Sequence, residues 1–164
     1  MRTSNHWIEK LHLLPHPEGG FYRETYRADG KISHDALSPN FKGDRNYSTA
    51  IFFLLRAEDR SVFHRIHSDE IWYYHAGGTL SIYILDHGKL IELKLGCDID
   101  NGEHLQVVVP AGKWFGAIVK DGLFVLSSCT VAPGFDFADF EMASRLALLD
   151  QFPSHEEIII KLTK

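Results

Sequence analysis

Cysteine is scarce in this chain, with only Cys97 and Cys129 among 164 residues. Two thiols cannot build the disulfide framework of a small secreted domain, so both are expected to be free. Positive charge is also short: 17 Lys and Arg stand against 22 Asp and Glu, for a net charge of −5. That balance argues against a nucleic-acid-binding face, although a local pocket for a small anion remains compatible with it. No apolar run reaches the roughly 18 residues that suggest a membrane span, and "MRTSNHWIEKLHLLPHPEGG" lacks the pattern of a secretory leader. No membrane partner and a cytoplasmic location are expected. Without an internal repeat or a low-complexity linker, residues 1–164 are read as one domain.

What the chain has in quantity is strand. Short runs rich in β-branched and aromatic residues follow one another: "GFYRETYR", "STAIFFLL", "SVFHRI", "EIWYYHA", "TLSIYIL", "LIELKL", "LQVVVP", "FGAIV" and "LFVLSSCTV". Gly or Asp punctuates the gaps, and "LDHGKL" reads as a hairpin. Eight or nine strands at this spacing predict a sandwich or barrel. Helices are confined to the ends. Trp7, Ile8, Leu11 and Leu14 fall at helical spacing behind a Ser4 or Asn5 cap, and Phe140, Ala143, Leu146, Ala147 and Leu149 form a stripe near the C-terminus. Ser154 and Glu157 are spaced as a capping box for a last short helix. "ADGKISHDALSPNFKGDRNY" reads as a long exposed loop.

The chemistry-bearing stretch is "FHRIHSDEIWYYHAGG", residues 63–78, with "QVVVPAGKWFGAIV" further on. Together they resemble the two motifs of the cupin superfamily, a small antiparallel jelly-roll barrel. With "HPEGGFYRETYR" and "APGFDFADFE" the chain is similar to the fifth cupin domain family, a domain of unknown function. The resemblance covers nearly the whole chain and implies a mainly β fold, with short N-terminal and C-terminal helices, and a homodimer. In the usual cupin pattern two histidines one residue apart share a strand face and an ion. Here His64 takes the first position, Ile66 the second, Glu70 matches the glutamate, and Phe115 stands where the second motif carries histidine. His67 has the parity of the opposite face. Two remaining ligands are fewer than a transition metal normally needs, so no metal and no cofactor are expected unless His67 or His75 turns inward.

"HPEGGFYRETY" is also similar to the N-terminal strand of metal-free dTDP-sugar epimerases. That resemblance implies a nucleotide base stacked on Tyr22 and held by Glu24, with His64 at the catalytic base. Gly19 replaces the phosphate-binding arginine of those enzymes, and Ser128 lies near their acid tyrosine. Beside it stands the reading of the residues themselves: Glu70, a carboxyl in an apolar run, orients His64 and raises its basicity. His64 and Glu70 are the candidate catalytic pair, and Tyr22, Glu24, Tyr74, Tyr83, Trp114 and Lys113 the candidate ligand-binding residues. Three functions stay open: a metal-free pocket for a nucleotide or nucleotide-sugar with guanine favoured, an isomerase or epimerase using His64, and a metal-dependent cupin enzyme. Guanine is favoured because its adjacent N–H donors suit a carboxylate acceptor.

Overall fold

The computed structural model describes residues 2–164. Its strands are β1 (Leu14–Pro15), β2 (Phe21–Arg27), β3 (Lys31–Ile32), β4 (Arg45–Asn46), β5 (Thr49–Arg56), β6 (Arg60–Arg65), β7 (Asp69–Gly77), β8 (Leu80–Asp86), β9 (Lys89–Leu95), β10 (Gln106–Val109), β11 (Trp114–Val119), β12 (Phe124–Ala132) and β13 (Glu141–Met142). The helices are α1 (Ser4–Lys10), α2 (Arg145–Gln151) and α3 (Glu156–Lys161). Nine strands are longer than two residues, which matches the strand count expected from periodicity.

Two antiparallel sheets face each other, one in the order β1-β2-β5-β12-β7-β10 and the other β13-β6-β11-β8-β9, with β3 and β4 paired apart. The register puts one parity of each strand inside: Val131 lies opposite both Thr49 and Glu70, while Val125 lies opposite Leu55. Toward the Val125 end, Leu55, Leu80, Ile82, Leu95 and Ala117 close the interior as an apolar core. Toward the Val131 end, the inward positions carry polar groups and enclose a cavity.

Each helix covers an outer sheet face. On the six-stranded sheet, Trp7, Ile8 and Leu11 pack with Leu13, Leu54, Phe124 and Leu126, and on the five-stranded sheet Leu148, Phe152, Ile159 and Leu162 pack on Phe63 and Leu85.

Several boundaries differ from expectation. Thr3 rather than Ser4 or Asn5 caps α1, accepting from the His6 N–H. The C-terminal stripe does not form as drawn: α2 starts after the Ser144 cap, Leu148 and Phe152 make the buried contact, and Leu146 is 78% exposed. Phe140 instead follows a 3-10 turn held by the Arg45–Asp139 pair and faces the cavity. A second 3-10 turn, Pro153–His155, occupies the proposed capping box, so α3 begins at Glu156 behind His155 without a side-chain cap. The segment read as an exposed loop contains β3 and β4 and buries Ala28, Phe41 and Arg45. Arg45 is drawn inward because Asp139 needs a buried cation.

Candidate functional site

The cavity measures about 340 Å3. Strand alternation places Tyr22 and Glu24 of β2, Ile51 and Phe53 of β5, and Glu70 and Trp72 of β7 on its wall. Phe135, Phe137 and Phe140, from the segment after β12, form an aromatic roof with ring centroids 5.0 to 6.2 Å apart. Two arginines hold that roof. Arg27 donates to the Phe135 carbonyl (3.1 Å) and to both oxygens of Glu24, and Arg45 Nε donates to Asp139 Oδ2 (2.6 Å).

The "HPEGG" stretch supplies the polar floor. Gly19 and Gly20 have φ of +114° and +74°, and a Cβ on Gly19 would meet the Arg60 carbonyl oxygen at 2.0 Å. Only glycine fits that approach. The turn folds Glu18 against β6, where its carbonyl accepts from the Val62 N–H (3.0 Å) and its side chain is buried. Glu18 Oε1 accepts from the Ser61 hydroxyl at 2.8 Å, while Oε2 lies 3.1 Å from His64 Nε2 and 3.5 Å from His16 Nδ1.

Hydrogen-bond chemistry fixes the proton positions. The Val62 carbonyl, 2.8 Å from His64 Nδ1, can only accept, so Nδ1 carries a proton. His64 Nε2 and Glu18 then share the next one. Burial pushes the Glu18 carboxyl up and the His64 imidazole down, so the neutral form of each is favoured. His16 Nδ1 accepts from the Glu18 N–H at 3.3 Å, so the neutral ring carries its proton on Nε2; burial also lowers its pKa.

Glu70 is the open carboxyl. Burial raises its pKa to about 7, with His64 opposing and the nearby Glu18 carboxyl adding to the rise, and the Cys129 thiol, a weak donor, lines the same wall. Cys129 is itself buried, which raises its own pKa and keeps it a thiol.

A family profile described as Cupin_5, cupin superfamily (DUF985), matches residues 5–143. The chain belongs to that family. Among solved structures, protein SO0799 from Shewanella oneidensis is 41% identical with a TM-score of 0.89, covering 100% of this chain and 99% of its own. A hypothetical protein from Leishmania major is 33% identical, also at a TM-score of 0.89, covering 99% of each chain. The uncharacterized protein YML079W of Saccharomyces cerevisiae is 30% identical over 143 residues, 80% of this chain and 71% of its own.

In this Cupin_5 chain the two metal positions that the sequence lacks are filled by bulk. Ile66 is 4% exposed on the cavity wall, and the Phe115 ring lies 4.1 Å from that of His64. His67 packs on Phe41 outside the cavity, and His75 bonds Ser128 at 2.8 Å on the outer sheet face. Among the described residues no group of three or more His, Cys, Asp or Glu side chains is arranged to hold a metal ion, so the donor set does not fit the metal of the usual cupin pattern.

The candidate residues divide. His64, Glu70, Tyr22 and Glu24 meet at one cavity. Tyr74, Tyr83, Trp114 and Lys113 do not reach it, which corrects their assignment as ligand contacts. Tyr74 packs on the apolar core and donates to the Gly77 carbonyl at 2.7 Å, because its strand position lies at the closed end. Tyr83 and Trp114 have the opposite parity and pack under α2 and α3, with Arg65 4.3 Å over the Trp114 ring. Lys113 pairs with Asp86. The partner of His64 Nε2 is also Glu18 rather than Glu70. Sequence reasoning missed His16 and Glu18 as site residues. Their signal was a histidine and a glutamate immediately before a Gly-Gly turn that leads into a cavity-lining strand.

Proposed function

We propose that this Cupin_5 member is a metal-independent enzyme of the proton-transfer class, an isomerase or epimerase acting on a small molecule. Glu70 moves the proton, and the Glu18–His64 pair beneath holds a second one. One observation carries this reading: a buried carboxyl on the cavity wall has a thiol, an imidazole and the Glu18 carboxyl as neighbours but no permanent cation. Such a group exchanges its proton near neutral pH, where general acid–base catalysis is most effective. His64 remains part of the machinery, but with Nε2 on Glu18 it supports the base instead of acting as one.

Charge and size narrow the ligand. Glu18, Glu24, Glu70 and Asp136 line the cavity against Arg23 and Arg27, and Arg27 is spent on Glu24. An uncharged, polyhydroxylated or carbonyl-bearing compound fits this balance better than a phosphorylated one. A volume of about 340 Å3 is at the small end of the range for ligand sites.

A second reading, a pocket for a nucleotide or nucleotide-sugar with the base between Tyr22 and Glu24, is favoured by both side chains lying on the cavity wall. Against it, a guanine would share both Glu24 oxygens with Arg27. A thermal-shift panel of sugars, hydroxycarbonyl compounds and nucleoside diphosphates, followed by turnover assays, separates the two. The proton-transfer reading expects stabilisation by uncharged compounds and altered ligand response in Glu70→Gln. If instead guanosine diphosphate binds and Glu24→Gln weakens it by about tenfold, as loss of a charge-assisted bond implies, the nucleotide reading replaces it.

A further inference from the structure

His16 is not accounted for by a role in holding the fold. Its ring lies within the aromatic lining, edge-on to Tyr22 at 4.5 Å and to Phe53 at 5.9 Å, and near-parallel to Phe137 at 6.3 Å. Nδ1 is occupied by the Glu18 N–H. Among the described residues Nε2 has no protein acceptor, yet it is not one of the sealed, unpartnered polar atoms, which are the Trp7 and Trp72 indole nitrogens. The N–H is therefore accessible, and the His16 ring lines the same cavity as Glu70 as well as a shallower one beside Pro17 and Arg60.

We propose that His16 is the electrophile of this site, its Nε2–H holding the carbonyl oxygen of an unphosphorylated α-hydroxy aldehyde or ketone while Glu70 takes the proton from the adjacent carbon. The inference rests on the proton-transfer reading above and names its substrate class. A carboxylate base paired with a neutral imidazole donor is a known solution for enolising a carbonyl compound. A neutral imidazole suits the task because it can both give and accept a proton, and burial keeps His16 neutral.

The step balances within the site. The C–H bond breaks, its proton passes to a Glu70 oxygen and its electron pair forms the carbon–carbon double bond of an enediolate. The former carbonyl oxygen takes the Nε2 proton of His16, and His16 regains one from the neighbouring hydroxyl. Glu70 then returns its proton to the former carbonyl carbon. The product is the aldose–ketose isomer, with no change in overall oxidation state and no co-reactant.

The test is deuterium incorporation from D2O, followed by proton NMR, on unphosphorylated aldoses and ketoses of three to six carbons. The wild-type protein is expected to label and interconvert at least one pair, and Glu70→Gln to abolish labelling. His16→Phe, which keeps the ring but removes the N–H, is expected to lower kcat by about 100-fold or more with KM little changed, as for loss of an oxyanion donor. His16→Gln, which restores an N–H, should recover about tenfold of that loss, because donor position is then only approximate. Nitrogen-15 NMR of His16 in the wild-type protein should show the neutral Nε2–H form at neutral pH, a readout independent of turnover and of whether His16→Phe folds. Labelling that is unchanged in both His16 variants, or a cationic His16, overturns the inference and leaves Glu70 as the base. Absence of labelling in every wild-type reaction overturns the inference through its substrate class. If Glu70 also titrates as an ordinary carboxyl, the proton-transfer reading falls with it.

Discussion

Asp139 and Glu70 are both buried carboxyls, 5% and 8% exposed, and their surroundings differ in one respect. Asp139 receives a two-point bond from the Arg45 guanidinium, itself 4% exposed, and so sits against a permanent cation. Glu70 has an imidazole, a thiol and a second carboxyl close by, and no guanidinium or ammonium. The first arrangement is a fastener: it ties the roof segment to the strand that carries Arg45. The second holds its charge loosely, as proton transfer requires. Burial alone does not separate a structural carboxyl from a chemical one; the partner does.

The largest effect should come from unbalancing the fastener. Asp139→Ala leaves the Arg45 guanidinium buried without its partner and should cost about 3 to 5 kcal/mol of stability in denaturant titration. A loss below about 1 kcal/mol would remove the distinction drawn between the two carboxyls.

Glu70→Gln should act in the opposite direction and depend on pH. Because the folded-state pKa of Glu70 is raised from 4.5 to about 7, the protonated carboxyl contributes stability that is fully present below pH 4.5 and is lost as pH rises through 7. At about pH 8 the variant should exceed the wild type by up to ~3 kcal/mol, and at about pH 4 the two should differ little. Equal pH profiles in thermal unfolding would contradict this.

Smaller again is Ser61→Ala, which removes the hydroxyl that donates to Glu18 Oε1 and should cost ~1 to 2 kcal/mol, since a buried acceptor loses its donor. Arg27→Met breaks a pair that is 37% exposed on the arginine side and should change stability by less than ~1 kcal/mol. The smallest expected effect is none. Chelators should leave the melting temperature unmoved, because Ile66 and Phe115 fill two of the usual ligand positions; a drop on chelation would show that other donors hold a metal.

Much of the barrel was legible because strand parity is a local property. The alternation around His64, Ile66, Glu70 and Trp72 set the cavity face and gave His67 the opposite parity; whether His67 or His75 turns inward stays open in the sequence, and the structure has both outside the cavity. Parity does not say how far along the barrel a residue sits. Tyr74 shares the inward face with Glu70 and Trp72, but it lies at the closed end, and the sequence pattern could not rank the three by depth. Tyr83 and Trp114 were misassigned for a different reason: an aromatic under a helix and an aromatic on a cavity look alike in one sequence. Glu18 and His16 were missed because they lie outside strand periodicity, placed by the left-handed turn at Gly19 and Gly20. The roof was also hidden. Phe135, Phe137 and Phe140 have neither helical nor strand order, and they are held by arginines about 90 or more residues distant in sequence, a connection only tertiary structure makes.

The central claim is that one buried carboxyl on the cavity wall is held ready to exchange a proton at neutral pH. Carbon-13 NMR titration of glutamate-labelled protein, with the Glu70 resonance assigned by its absence in Glu70→Gln, measures this directly. A midpoint near 7 is expected. A midpoint in the ordinary carboxylate range, about 4, would mean that Glu70 has a partner as firm as Asp139 has in Arg45, and the functional reading would fail.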